Sequence, residues 1–167
     1  MKRIFLAMIG LVLLACTVMP ASAFTMKSLS MSVAGNGDTQ VEMNYDLSIL
    51  EQTAVFFRLA DPAAQLKSAF ESGGFHDIAV QDATSSSAHL MIPYLATVSR
   101  TGGKNVTITT PQLSFERAQE VLSSYWFAPL VSPDFSPAVT TITFPDGYRA
   151  FYYDQITIPA VTHQVSQ

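Results

Sequence analysis

Between residues 28 and 47 apolar and polar side chains alternate. Leu29, Met31 and Val33 interleave with Ser28, Ser30 and Ser32, and Val41, Met43, Tyr45 and Leu47 interleave with Gln40, Glu42, Asn44 and Asp46. A period of two is that of a strand, whose successive side chains point to opposite faces. The residues between the two runs, Gly35-Asn36-Gly37-Asp38, accept the positive φ that a tight hairpin turn needs. The pair is a hairpin with one apolar face, and that face requires a second layer.

The next segments predict helices as the cover. Ser48-Ile49-Leu50-Glu51 has the spacing of a capping box and opens a helix over 48–59, although Val55-Phe56-Phe57 fits a strand as well. Asp61-Pro62 starts a second helix, with Ala63, Leu66, Ala69 and Phe70 on one face and Gly73-Gly74 as its stop. A third runs from a Ser114 cap through Ala118, Val121, Leu122 and Tyr125 and ends before Pro129.

Short strands are expected over 76–80, 88–92, 97–100 and 105–110, then a C-terminal hairpin over 138–144 and 148–153 turned at Pro145-Asp146-Gly147. Pro129, Pro133 and Pro137 mark an extended connection, and a last strand passes through Ile156 and Ile158 before Pro159. No internal repeat is visible. The order implies an α+β fold: a mainly antiparallel sheet with two or three helices packed on one face.

Residues 1–23 read as a secretory signal peptide. Lys2 and Arg3 form a basic start, 4–15 is an apolar run too short to span a bilayer, and Pro20 breaks it. Ala21 and Ala23 are the small residues a signal peptidase needs, which makes Phe24 the mature N-terminus. A competing reading makes Leu13-Leu14-Ala15-Cys16 a lipoprotein box with Cys16 lipidated, against which Leu14 is bulky where a small residue is usual. Cleavage after Ala23 leaves residues 24–167 as a single extracytoplasmic domain without cysteine and without a membrane span. Loss of Lys2 and Arg3 takes the net charge from −4 to −6, a balance that disfavours nucleic acid as a partner.

No motif assigns catalysis, a cofactor or a metal. His76, His89 and His163 lack the paired spacing of a zinc site, and His76-Asp77 would point to opposite faces of a strand. Asp146, before Gly147, is the expected turn residue. Two aromatic clusters offer recognition: Tyr125-Trp126-Phe127, and Tyr148 with Phe151, Tyr152 and Tyr153. Along a strand Tyr148 and Tyr152 face one way and Phe151 and Tyr153 the other, so core packing accounts for at least part of them. Asn105-Val106-Thr107 fits the N-glycosylation acceptor pattern.

Three stretches carry a resemblance: Tyr45 to Glu51 continuing to Arg58-Leu59-Ala60-Asp61-Pro62, then Ser124-Tyr125-Trp126-Phe127-Ala128-Pro129, then Phe144-Pro145-Asp146-Gly147-Tyr148. Together they resemble small exported proteins of methanogenic archaea, a group with no activity attached. The resemblance covers most of the mature chain and implies a cell-surface or extracellular location, where Asn105 meets a glycosyl transferase. The expectation is a non-enzymatic domain that binds a partner protein or a cell-surface component. Its alternatives are an envelope hydrolase built on dispersed carboxylates with His76 or His89, and a structural subunit of a surface assembly.

Overall fold

The computed structural model describes residues 24–47, 77–100, 105–123 and 134–166. In chain order these hold β1 (Thr25–Val33), β2 (Thr39–Asp46), β3 (Ala79–Ala83), β4 (Ser87–Ile92), β5 (Thr97–Arg100), β6 (Asn105–Thr110) and β7 (Leu113–Ser114). A short helix, α1 (Glu116–Ser123), precedes β8 (Val139–Thr143), β9 (Arg149–Tyr152), β10 (Thr157–Ile158) and β11 (Val161–Ser166).

Six strands form one sheet in the order β3-β4-β2-β1-β8-β9. All its pairings are antiparallel except that of β1 with β8, which is parallel. Lys27 is an extra residue in β1: Met26 lies opposite Tyr45 and Ser28 opposite Asn44. The bulge shifts the alternation by one, so Met26 is buried together with Leu29, Met31 and Val33. The β1–β2 turn is tied down at Gly37, whose N–H donates to the Ala34 carbonyl and whose own carbonyl accepts from Ala96 N–H at 3.0 Å. Asp38 Oδ1 also accepts from the backbone N–H of Tyr94.

The second layer is also β. β11, β6 and β5 form a three-stranded antiparallel sheet, and β10 pairs with β7. The β6–β11 and β7–β10 pairs keep one register, from Ser166 opposite Asn105 through Val161 opposite Thr110 to Thr157 opposite Ser114. They are one ribbon, interrupted where Pro111 and Pro159, each without an N–H, enter from the two strands. The inward face changes across the gap, from Ile108 and Thr110 to Leu113.

A single core joins the layers. Leu29, Met31, Val41, Met43, Leu90, Ile92 and Ile142 of the first sheet cluster with Val106, Ile108, Leu113, Ile158 and Val165 of the second. This corrects the α+β expectation, because the apolar face of the first sheet is covered by strands and the described chain is nearly all β. The physical reason is that β6 and β11 carry their own inward apolar positions, Val106, Ile108 and Val165, which among the described residues supply the facing side of the core. Of the third expected helix the described residues hold α1, where Ser114 Oγ accepts from Glu116 N–H as a cap, and Tyr125 lies outside them. The helices expected over 48–59 and from Asp61 lie outside the described residues. β11 is a further correction, since the sequence reading ended its last strand at Pro159.

Candidate functional site

The β8–β9 hairpin gathers the chemistry. Gly147 takes φ 86° at its tip, Phe144 N–H donates to the Tyr148 carbonyl, and Gly147 N–H donates to the Phe144 carbonyl. Asp146 Oδ1 accepts from the Tyr148 N–H at 3.1 Å, so the turn uses this carboxylate as turn preference predicts. Its other oxygen does something local sequence does not announce: Asp146 Oδ2 lies 2.7 Å from Nε2 of His163 on β11. The His163 ring stacks on Tyr148 at 4.2 Å and 12°, and sits 5.0 Å from the buried ring of Phe144. The hydrogen bond from His163 holds the Asp146 carboxyl below its ordinary value against an opposing desolvation, with the Tyr148 amide assisting.

This cluster clips the hairpin of one sheet to the edge strand of the other. A Ser-His-Asp arrangement requires a nucleophile hydroxyl on the imidazole, and among the described residues no hydroxyl hydrogen-bonds to His163. No group of three or more His, Cys, Asp or Glu among the described residues could hold a metal ion. His89 lies on the outer face of the first sheet, opposite Glu42 on one side and Asp82 on the other. His76 is outside the described residues.

Parity separates Tyr152 from Phe151 and Tyr153, whereas Tyr148, at the turn, is exposed although it shares the parity of Tyr152. Tyr152 packs against the core. Tyr148, Phe151 and Tyr153 stand 48%, 50% and 63% exposed. Tyr125 and Trp126 lie outside the described residues, as do Ala21, Ala23 and Cys16. Phe24 is partly buried, its ring 4.5 Å from Phe135 and 5.5 Å from Tyr45. Asn105 is exposed at the start of β6, on the same face as Thr107, while Val106 between them is buried.

Comparison with protein families, with curated proteins and with solved structures finds no match to this chain.

Proposed function

We propose that the chain is an exported domain that works by non-enzymatic binding at the cell surface, through the aromatic edge formed by Tyr148, Phe151 and Tyr153. The observation that carries this reading is the exposure of three large rings on one hairpin, although among the described residues twenty apolar side chains are buried in the core. Phe151 and Tyr153 on one face of the hairpin arm, with Tyr148 at its turn, suit the flat faces of sugars and peptide side chains. Export is supported by the basic, apolar and small-residue order of 1–23. A cut after Ala23 retains Phe24, whose ring packs on Tyr45 and Phe135.

The test is retention of purified surface material from the producing cells on the immobilised protein. Wild type is expected to retain it, and a Phe151→Ala, Tyr153→Ala double variant to lose it. Equal retention by both would remove the aromatic edge from the mechanism. The N-terminal mass of the protein recovered from those cells checks export, since it reads Phe24 after cleavage and a lipidated Cys16 otherwise. The intact mass reports any glycan on Asn105.

A further inference from the structure

The two edges of the six-stranded sheet are built differently. In β3, Gln81 is an extra residue between Val80, opposite Leu90, and Asp82, opposite His89. A bulge and an exposed carboxylate are devices that keep other strands from adding to an edge. Over Arg149–Tyr152 β9 has neither: it pairs with β8 in an unbroken register, Thr140 with Tyr152 through Thr143 with Arg149, and the slip to Pro137 and the exposed carboxylate come only at Asp154, φ 51°, beyond Tyr153. Among the described residues nothing pairs with its other side.

The hydrogen-bond phase shows what that free side offers. Tyr148 accepts from Phe144 N–H and Asp154 donates to the Pro137 carbonyl, so residues 148, 150, 152 and 154 turn their backbone groups towards β8. Arg149, Phe151 and Tyr153 therefore direct N–H and C=O outward along the edge. Their side chains share the outer face, because Ala150 and Tyr152 between them pack on the core.

We infer that β9 pairs antiparallel with β9 of a second copy of this chain, about a two-fold axis through Phe151. This deepens the surface-interaction reading and rests on it in using the same aromatic edge. Three outward-directed residues admit one register that pairs all of them: Phe151 faces its own counterpart, and Arg149 faces the Tyr153 of the second copy at each end. The central pair is aromatic against aromatic, and each flanking pair sets a guanidinium against a phenol ring, a cation–π contact. With a net charge of −4 the chain resists indiscriminate self-contact, yet from Arg149 to Tyr153 the sole charge is a cation placed opposite a ring. The product is a continuous twelve-stranded sheet with an isologous interface, which closes at two copies.

A cysteine on the axis meets itself. In a hydrogen-bonded antiparallel pair the Cα atoms are about 5.5 Å apart, within disulfide reach. In the full chain carrying Cys16→Ser, Phe151→Cys is expected to form a disulfide dimer under mild oxidation, and Tyr153→Cys, which faces Arg149, to form several-fold less. In sedimentation, the chain with its native Phe151 is expected to shift from monomer to dimer between low and several hundred micromolar. Phe151→Lys, which puts two ammonium groups on the axis at an exposed site, is expected to abolish that shift without lowering the unfolding midpoint. A monomer throughout the range, or cross-linking at 153 as fast as at 151, overturns the pairing. A monomer that still retains surface material overturns the pairing alone, and a dimer that retains none overturns the surface reading alone.

Discussion

Gly37→Ala tests how the first hairpin is anchored, and its cost can be built up from separate parts. Gly37 has φ 93°, a conformation that costs an L-residue about 1–2 kcal/mol. A Cβ there would also sit 2.3 Å from the Ala96 carbonyl oxygen and 3.3 Å from a methyl of Val98. The first contact is backbone, so relief requires the 93–96 connection to retreat and the 3.0 Å bond from Ala96 N–H to the Gly37 carbonyl to break, which costs about 1 kcal/mol. Alanine returns roughly 0.5–1 kcal/mol by restricting the unfolded chain. The balance is a loss of about 2 kcal/mol. Gly147→Ala supplies the control, because φ is 86° but nothing lies within 4 Å of a Cβ, and about 1 kcal/mol or less is expected. Gly35→Ala, in open space, should lie within about 0.5 kcal/mol of wild type. Urea unfolding with a common slope orders the three variants by midpoint. A Gly37→Ala midpoint no lower than that of Gly147→Ala would refute the contact with Ala96.

Three further substitutions probe buried polar groups and charge. Thr140 Oγ1 is buried without a hydrogen-bond partner among the described residues, so Thr140→Val should raise stability by about 1 kcal/mol in the same assay. Tyr45 OH donates to the Thr84 carbonyl at 2.7 Å, and Tyr45→Phe should cost about 1 kcal/mol. Burial, and then the charge of Asp82, raise the Tyr45 phenol above 10.0. The folded value exceeds the unfolded one, so this stability is present below pH 10.0 and lost as pH rises beyond it, a decline the phenylalanine variant should lack. Asp146 is shifted the other way, chiefly by its bond to His163, so its contribution is present above 3.8 and lost as pH falls through its lower folded value. Thermal unfolding of Asp146→Asn between pH 2 and pH 5 should therefore show a shallower acid decline than wild type, and parallel curves would argue against the clip.

The hairpins were legible because their determinants are local. Gly37 and Gly147 mark the tips, and alternation marks the arms of β1 and β2. The covering layer was not legible for a corresponding reason. Val106 and Ile108 announce a half-buried strand but not what lies across from it, and a capping box at Ser48 drew the cover towards helices. β11 follows a proline and buries only Val165 fully, so its alternation is faint. Asp146 could be read as a turn residue, whereas its bond to His163 crosses between sheets and has no local signature. Strand parity separated Tyr152 from Phe151 and Tyr153 correctly in space, since it depends only on the pleat.

The parallel register of β1 with β8 governs when the molecule can complete itself. Ser28 finds its neighbour Val139 only after roughly a hundred intervening residues have been made. A chain threaded through a membrane pore from its amino end would have the first hairpin across early, yet β1 would lack one flank until the last quarter emerged. Such sequence-distant closure slows folding. The strand that organises the sheet is also what delays its completion until almost the whole polypeptide has arrived.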